Sequence, residues 1–173
     1  RREEMGEIRK HGVYEKVPRR VCYERTGKAP VRVRWVHINK GDWDNPEYGS
    51  RMVAMDFNTG KRDDLFAATP PLEAKKMLFP LAVTEGIGFK KGLKNCGKKV
   101  AFIDVRRAYF HSEARRTLYV QLPKEDAEEG MCGILLKAMY GTRDAAQNWE
   151  VEYNKFMKAA GFQRGESSPC TFW

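Results

Sequence analysis

The sequence has few of the residues that metal-binding and disulfide-rich domains need. It contains three histidines and four cysteines in 173 residues. No Cys-x-x-Cys pair occurs, and the cysteines lie far apart, at Cys22, Cys96, Cys132 and Cys170. Zinc frameworks and dense disulfide scaffolds need closely spaced ligands or many paired cysteines. We therefore exclude both classes and expect reduced thiols in an intracellular protein.

Long hydrophobic runs are also absent. None approaches the ~20 consecutive apolar residues that a membrane-spanning helix needs, so we expect no membrane partner. The chain opens on Arg1 without a Met or an apolar leader, and it ends at Trp173 on a short apolar, strand-like run. From these two ends we expect the chain to be part of a longer protein.

What the sequence does contain is enough apolar residues for a core, together with an uneven excess of positive charge. Hydrophobic residues make up 42% of the chain and aromatic residues 12%, which is typical of globular proteins. The net charge is +9. Residues 1–62 carry 15 Lys and Arg against 9 Asp and Glu, and residues 90–116 carry 9 against 2. This clustering favours a nucleic-acid partner; the alternative is a solvated basic face.

The spacing of apolar residues predicts a chain of mixed helices and strands. Helices are predicted at 2–11, 71–85, 106–112 and 143–160. After an extended entry at 13–18, strands are predicted at 31–35, 51–57, 99–105, 117–122 and 134–136, the first two of these forming a hairpin around a turn at 41–46. The expected buried residues of the two long helices are Leu72, Met77, Leu78, Leu81 and Ala82 in the first, which Pro80 should kink, and Ala146, Trp149, Tyr153, Phe156 and Met157 in the second.

Asp104 is the only charged residue in the apolar run 100–105 (VAFIDV). Burying an unpaired carboxylate is costly, so such a residue usually has a cation, a metal or water at a strand end. The aromatic residue Tyr109 follows five positions later. Two interpretations stay open: a metal ligand that faces a shaped pocket, or a solvated Asp where the strand ends. A second acidic group, Asp126 with Glu128 and Glu129, lies in a loop and favours a solvated patch over a metal site.

Four blocks of the sequence resemble those of one known family. Residues 104–110 (DVRRAYF), followed by 118–123 (LYVQLP), resemble the first catalytic block of reverse transcriptases. Residues 136–149 (LKAMYGTRDAAQNW) are similar to the KAxYGLKQAxxxW block of copia-type retrotransposon polyproteins. Upstream, residues 34–54 resemble that family's fingers hairpin, and residues 65–72 resemble its ETFAPVA block. Their occurrence in family order makes the set far more specific than any single block.

The resemblance implies an α+β fold with a polymerase-like fingers hairpin and a partial palm, in which helices back an antiparallel sheet. Residues 1–98 would form a fingers-like region with a connecting helix. Residues 99–173 would form the incomplete palm with the first catalytic Asp. The parent reaction would be RNA-templated DNA synthesis from deoxynucleoside triphosphates with Mg²⁺.

The same resemblance implies roles for eight residues. Asp104 matches the family's first catalytic and metal-binding carboxylate, which the Val105 carbonyl would assist. Tyr109 matches the residue against which the sugar of the incoming nucleotide packs. The other nucleotide-binding positions are Lys40 and Arg51 on the fingers, Arg107 and Ala108 through backbone N–H groups near the triphosphate, and Gly141 where the backbone would approach the nascent base pair.

Each role has a structural alternative. Arg51 and Lys40 are also compatible with exposed surface charges, and Tyr109 is compatible with a place in the core like that of Phe110. The residues Tyr140 and Trp149 are interpreted as structural.

The chain also departs from the family pattern. Gly49-Ser50 precedes Arg51 in place of Lys-Ala, and residues 142–144 (TRD) replace Leu-Lys-Gln, so that an acid replaces an amide. His111-Ser112-Glu113 stands where a leucine and a glycine are more usual. The Tyr-x-Asp-Asp hairpin that supplies the family's other two metal carboxylates does not occur in the 173 residues. We therefore expect no polymerase activity from this chain alone.

The resemblance predicts part of the reverse transcriptase of a copia-type retrotransposon polyprotein. The implied partners are an RNA template, a DNA primer and product, and deoxynucleoside triphosphates, with flanking integrase and ribonuclease H segments, in a cytoplasmic or nuclear retroelement particle. The alternatives are a non-catalytic nucleic-acid-binding protein and a decayed remnant, each derived from a retroelement. An intact Tyr-x-Asp-Asp in the parent protein would favour the enzyme.

Overall fold

A computed structural model of the chain describes residues 1–57, 72–92, 97, 99, 104–166 and 169–173. The chain forms two compact units, the first from Arg1–Phe66 with Arg107–Glu152 and the second from Ala67–Arg106 with Tyr153–Trp173. The boundary between fingers and palm after residue 98 stays a prediction. Among the described helices, none combines the length and the apolar character required to cross a bilayer.

The described elements mix helices and strands, as the apolar spacing predicts. Their bounds are α1 Arg2–Lys10, β1 Tyr14–Pro18, α2 Arg19–Thr26, β2 Val33–Asn39, β3 Tyr48–Ala54, α3 Leu72–Val83, β4 Tyr119–Val120, β5 Met131–Leu135 and α4 Ala145–Ala159, with short 3₁₀ helices at Ala108–His111 and Lys124–Asp126. The apolar spacing does not predict α2, because Cys22 is its one buried residue and its other positions are mostly exposed and polar.

Three strands of the first unit form an antiparallel sheet in the order β1-β5-β4. On one face of this sheet α2 packs through a small cluster of Cys22, Tyr119 and Cys132. Neighbouring residues of a strand point to opposite faces, so Val120 belongs to the main core on the other face. There α1 and β3 complete the core, whose buried members are Met5, Ile8, Val13, Met52, Ala54, Phe110, Val120, Leu135 and Met139.

The predicted hairpin is confirmed: β2 and β3 pair antiparallel, with Val33 opposite Ala54 and Asn39 opposite Tyr48. Its second strand begins and ends three residues earlier than the sequence predicts, at 48–54 rather than 51–57. The turn is closed by Asn39, whose Oδ1 accepts hydrogen bonds from the backbone N–H of Gly41 at 3.0 Å and of Glu47 at 2.8 Å.

The acidic loop after β4 is not simply the solvated patch that the sequence predicts. Asp126 Oδ2 accepts a hydrogen bond from the Tyr14 hydroxyl at 2.8 Å. Asp126 Oδ1 lies 3.2 Å from Arg9 Nη2 and 3.5 Å from Lys16 Nζ. These contacts attach the loop to α1 and β1. Within the described part of the chain, no three His, Cys, Asp or Glu side chains are grouped as a metal site would need.

In the second unit, the buried face predicted for α3 is wrong. The side chains Leu72, Met77, Leu78 and Leu81 are between 40% and 61% exposed. Pro80 lies inside the helix, which continues to Val83. In α4, which runs from the first unit into the second, Phe156 is 71% exposed. Helical spacing decides which side chains share a face, but it does not decide whether another element covers that face.

Three other predicted segments are only partly described or differ from the prediction. Residues 65–71 and 100–103 lie outside the described residues. Asp104 and Val105 are described, and both are exposed and outside any strand, which agrees with a solvated Asp104. The strand predicted at 117–122 is only two residues long, at Tyr119–Val120.

Candidate nucleotide site

The ring of Tyr140 lies at the centre of a cluster in the first unit. The Arg51 guanidinium carbon is 5.1 Å from the centre of this ring. The Tyr109 and Phe110 rings lie 5.0 Å and 5.6 Å away, centre to centre. We call these four residues the Tyr140 cluster. It brings together two residues that the resemblance singled out, Arg51 from β3 and Tyr109 from the 3₁₀ helix at 108–111.

Arg51 is the charged member of the Tyr140 cluster. Burial raises the pKa of the Tyr140 hydroxyl, although the positive charge of Arg51 acts in the opposite direction. Tyr140 therefore stays neutral at physiological pH. Arg51 is exposed and forms no ion pair with the other described residues. An exposed cation over an aromatic ring gains about 0.5–1 kcal/mol, which orients the guanidinium and leaves its charge accessible to a ligand.

The backbone explains why the hairpin meets Tyr140. The Ala54 N–H, at the end of β3, donates a hydrogen bond to the Tyr140 carbonyl at 2.7 Å. Gly141 follows with φ +82°, and a Cβ at this position would collide with the Ala54 carbonyl and the Val53 side chain. Only glycine fits both constraints. The structure thus gives Gly141 a close approach to β3, and the predicted approach to a base pair stays a prediction.

A group of buried charges fastens the same hairpin to the start of α4. Arg116 pairs with Asp56 through Nη2, and its Nε donates to Asp144 Oδ1 at 3.0 Å. The Asp56 carboxylate also accepts a hydrogen bond from the backbone N–H of Arg143 at 3.1 Å, and Asn148 Nδ2 donates to Asp144 at 3.0 Å. We call the contacts of Arg116 with these two carboxylates the Arg116 bridge.

The Arg116 bridge contains one cation and two carboxylates, and Arg143 Nε, 3.5 Å from Asp56 Oδ2, supplies a second cation beside it. The Asp56 and Asp144 side chains are only 9% and 10% exposed. Burial acts to lower the pKa of Arg116, but the hydrogen bonds and charges of the two carboxylates raise it overall. The family blocks do not point to Asp56 or Arg116. The sequence feature that could have indicated this bridge is Asp144, which is an acid at a position where the family has an amide.

Arg107 has an unusual backbone. Its φ of 51° is the only positive value at a non-glycine residue in the described chain. Its side chain turns to α1, where Nε donates to Glu4 Oε2 at 3.1 Å and Nη2 donates to Glu3 Oε1 at 2.8 Å. Ala108 and Tyr109 then begin the 3₁₀ helix, and the first N–H groups of such a helix have no acceptor within it.

Lys40 is not part of the Tyr140 cluster. It follows β2 and is exposed. Arg51 lies opposite Val36, which is four residues from Lys40 and therefore about 13 Å away along the strand. Alternation nevertheless places Arg34, Val36 and Lys40 on the same face of the hairpin as Arg51.

Asp104 and Val105 belong to the second unit, so their association with the Tyr140 cluster stays a prediction. An exposed carboxylate such as Asp104 is a suitable ligand for Mg²⁺. The described residues supply no group of three His, Cys, Asp or Glu to accompany it. Asp104 would therefore hold a cation only together with phosphates or with ligands from elsewhere.

Comparison with known proteins identifies the family. The model of the reverse transcriptase (RNA-dependent DNA polymerase) family matches residues 19–172. The retrovirus-related Pol polyprotein from transposon TNT 1-94 of Nicotiana tabacum is 25% identical over 181 residues. That alignment covers 99% of this chain and 12% of the polyprotein, so the chain spans about an eighth of the length of this curated relative. No solved structure matches the chain significantly. The chain belongs to the reverse transcriptase family and is part of a reverse transcriptase of the copia retrotransposon type.

Proposed function

We propose that the first unit binds an incoming deoxynucleoside triphosphate during RNA-directed DNA synthesis. The observation that carries this proposal is the position of Arg51. Its exposed guanidinium has no carboxylate partner among the described residues, and it lies over Tyr140, which in turn contacts Tyr109. A planar cation held in this way suits phosphate oxygens.

The roles of the neighbouring residues follow from this arrangement. Arg51 binds the triphosphate, and the N–H groups of Ala108 and Tyr109 donate to it. The half-buried Tyr109 ring offers its remaining surface to the sugar, where a 2′ hydroxyl would collide with it. Gly141 keeps the turn beside this site free of a side chain.

We propose further that template or primer strands lie along the basic face of the hairpin. Arg34, Lys40 and Arg51 share this face, and Trp43 in the hairpin turn is 99% exposed. Cations that follow a phosphate backbone and an aromatic ring on which a base can stack are the two elements of sequence-tolerant strand binding.

The metal chemistry is proposed for the complete enzyme, with 1–98 as the fingers-like region and 99–173 as part of the palm. Mg²⁺, when bound, would neutralise the phosphates and orient the attacking 3′ hydroxyl. Asp104 is the residue of this chain that would hold it, together with the Val105 carbonyl. The activity of a whole polyprotein with integrase and ribonuclease H segments is part of the same proposal.

Binding of a fluorescent deoxynucleoside triphosphate tests the nucleotide site. We expect Arg51→Leu to weaken binding about 10-fold or more, as for the loss of a charge-assisted hydrogen bond. Arg25→Leu is the matched control, because Arg25 is an exposed cation of α2 on the other face of the three-stranded sheet. Equal affinities for the two variants would contradict the proposed site. Binding of nucleic acid without any binding of nucleotide would favour the non-catalytic alternative.

A further inference from the structure

Glu4 is a buried carboxylate beside the candidate site that the proposed function does not use. It lies in α1 and is 4% exposed. Its Oε2 accepts the hydrogen bond from Arg107 Nε, and its Oε1 is buried without a hydrogen-bond partner among the described residues. A buried carboxylate oxygen without a partner destabilises the fold, so this position is costly to maintain.

Arg107 adds a second cost at the same place. An L-residue in the left-handed region is less stable by about 1–2 kcal/mol than in the right-handed region. Such conformations persist where the surroundings enforce them, and they concentrate at functional sites. The Arg107 side chain is 19% exposed and is held by Glu4 and Glu3. The side-chain contacts of Arg107 therefore come from α1, in addition to the backbone hydrogen bond that its carbonyl accepts from Phe110 within the turn.

The two acids of α1 that contact Arg107 differ in how strongly they can act. The Glu3 side chain is 80% exposed, whereas that of Glu4 is 4% exposed. Exposed ion pairs contribute little, because water and salt screen them. Removal of one partner from a buried pair leaves an uncompensated charge and has a much larger effect. Glu4 is therefore the residue that controls Arg107.

We infer that Glu4 is a positioning residue: through Arg107 it holds the turn at 107–111 in the conformation that presents Ala108 and Tyr109 to the nucleotide. The presentation of the nucleotide rests on the proposed function, whereas the effect on the turn does not. The family match begins at residue 19, so α1 supplies this contact from outside the matched segment. Glu4 also lies near Tyr140. Burial is the main cause that raises the pKa of Tyr140, Arg51 acts against it, and the negative charge of Glu4 raises it further.

The first experiment measures the turn itself by amide hydrogen exchange. The Phe110 N–H donates to the Arg107 carbonyl at 2.9 Å, and the Ser112 N–H donates to the Tyr109 carbonyl at 3.1 Å. We expect Glu4→Gln to accelerate exchange of these two amides about 10-fold, and the matched control Glu3→Gln to leave them nearly unchanged. Unchanged exchange in Glu4→Gln would overturn the inference.

The second experiment separates positioning from general packing by measuring affinity for a deoxynucleoside triphosphate. Arg107→Gly and Arg107→Ala both remove the guanidinium and leave Glu4 unpaired, but only glycine adopts a positive φ without strain. We expect Arg107→Gly to bind more tightly than Arg107→Ala. We also expect Glu4→Gln to weaken binding in the wild-type background and to have no further effect in Arg107→Gly.

The outcomes distinguish this inference from the proposed function. Equal binding by Arg107→Gly and Arg107→Ala would overturn the positioning role, and so would an undiminished effect of Glu4→Gln in the Arg107→Gly background. If exchange responds as expected but the wild-type chain binds no nucleotide, Glu4 does position the turn and the proposed nucleotide site is wrong.

Discussion

Arg116 donates a hydrogen bond from Nε to Asp144 Oδ1 at 3.0 Å, and this contact accounts for an acid where copia-type sequences have glutamine. A buried carboxylate needs a cation, and Arg116 provides one that it also shares with Asp56 at the end of the hairpin. The substitution of an acid for an amide therefore joins β3 to the start of α4 in this chain.

The first prediction concerns the Arg116 bridge. Arg116→Met should lower the free energy of unfolding by about 3–5 kcal/mol, because it leaves the buried Asp144 without its cation and leaves Asp56 with Arg143 alone, at 3.5 Å. Urea-induced unfolding measures this change. Arg115→Met is the control, since Arg115 is the neighbouring exposed arginine and should change stability by less than about 0.5 kcal/mol. Similar losses in both variants would mean that the bridge does not stabilise the fold.

The second prediction concerns Gly141. Gly141→Ala should lower the free energy of unfolding by more than about 2 kcal/mol, because strain at positive φ adds to a collision with the Ala54 carbonyl. Gly12 has a φ of +58°, and a Cβ added there would meet open space, so Gly12→Ala should show the backbone cost alone, about 1 kcal/mol. Thermal or urea unfolding of both variants tests this, and equal losses would exclude the collision.

The third prediction concerns the pH dependence of stability. Partial burial acts to raise the pKa of Asp126, but the Tyr14 hydrogen bond and the charges of Arg9 and Lys16 lower it overall. A carboxyl whose pKa is lowered on folding stabilises above its unfolded pKa, near ~3.9, and loses that contribution as the pH falls through the folded value.

Asp126→Asn should therefore destabilise the protein by about 1–3 kcal/mol at neutral pH. The difference from wild type should shrink as the pH falls from roughly 5 to 3. Urea midpoints at several pH values measure it, with Glu129→Gln as the exposed control. A difference that stays constant with pH would show that the charge of Asp126 is not what matters.

The fourth prediction concerns nucleic acid. The chain should bind labelled duplex weakly, with dissociation constants of roughly 10⁻⁴–10⁻⁶ M that rise steeply with salt. Arg34→Ser should reduce the slope of log affinity against log salt by about 1, whereas Arg25→Ser on α2 should not. If the affinity of the wild type does not change with salt concentration, the basic residues form only a solvated face.

The fifth prediction concerns sugar selection. Tyr109→Ala should raise the affinity for a ribonucleoside triphosphate relative to its deoxy counterpart, because the ring no longer occupies the space of the 2′ hydroxyl. Phe110→Leu, in the buried neighbour that is 1% exposed, should change stability without changing this ratio. If Tyr109→Ala leaves the ratio of the two affinities unchanged, the role of Tyr109 is purely structural.

The sequence by itself determined the family, the hairpin and the helical turn after Asp104. These depend on local order: the motif blocks, the alternation of Val33 with Arg34, and the turn residues around Gly41. It also indicated Arg51 and Tyr109 as candidates, because the family motifs specify residues by their position in the chain.

Only the tertiary structure decided which of these residues meet. Tyr140, interpreted from sequence as structural, lies between Arg51 and Tyr109, and Lys40 lies apart from them. The Arg116 bridge and the Glu4–Arg107 pair join residues 28 to 103 positions apart in the chain, a relationship that no local pattern contains. For the same reason, the sequence did not determine which apolar side chains are exposed. The apolar spacing of α3 defines a face, but whether that face is buried depends on what packs against it.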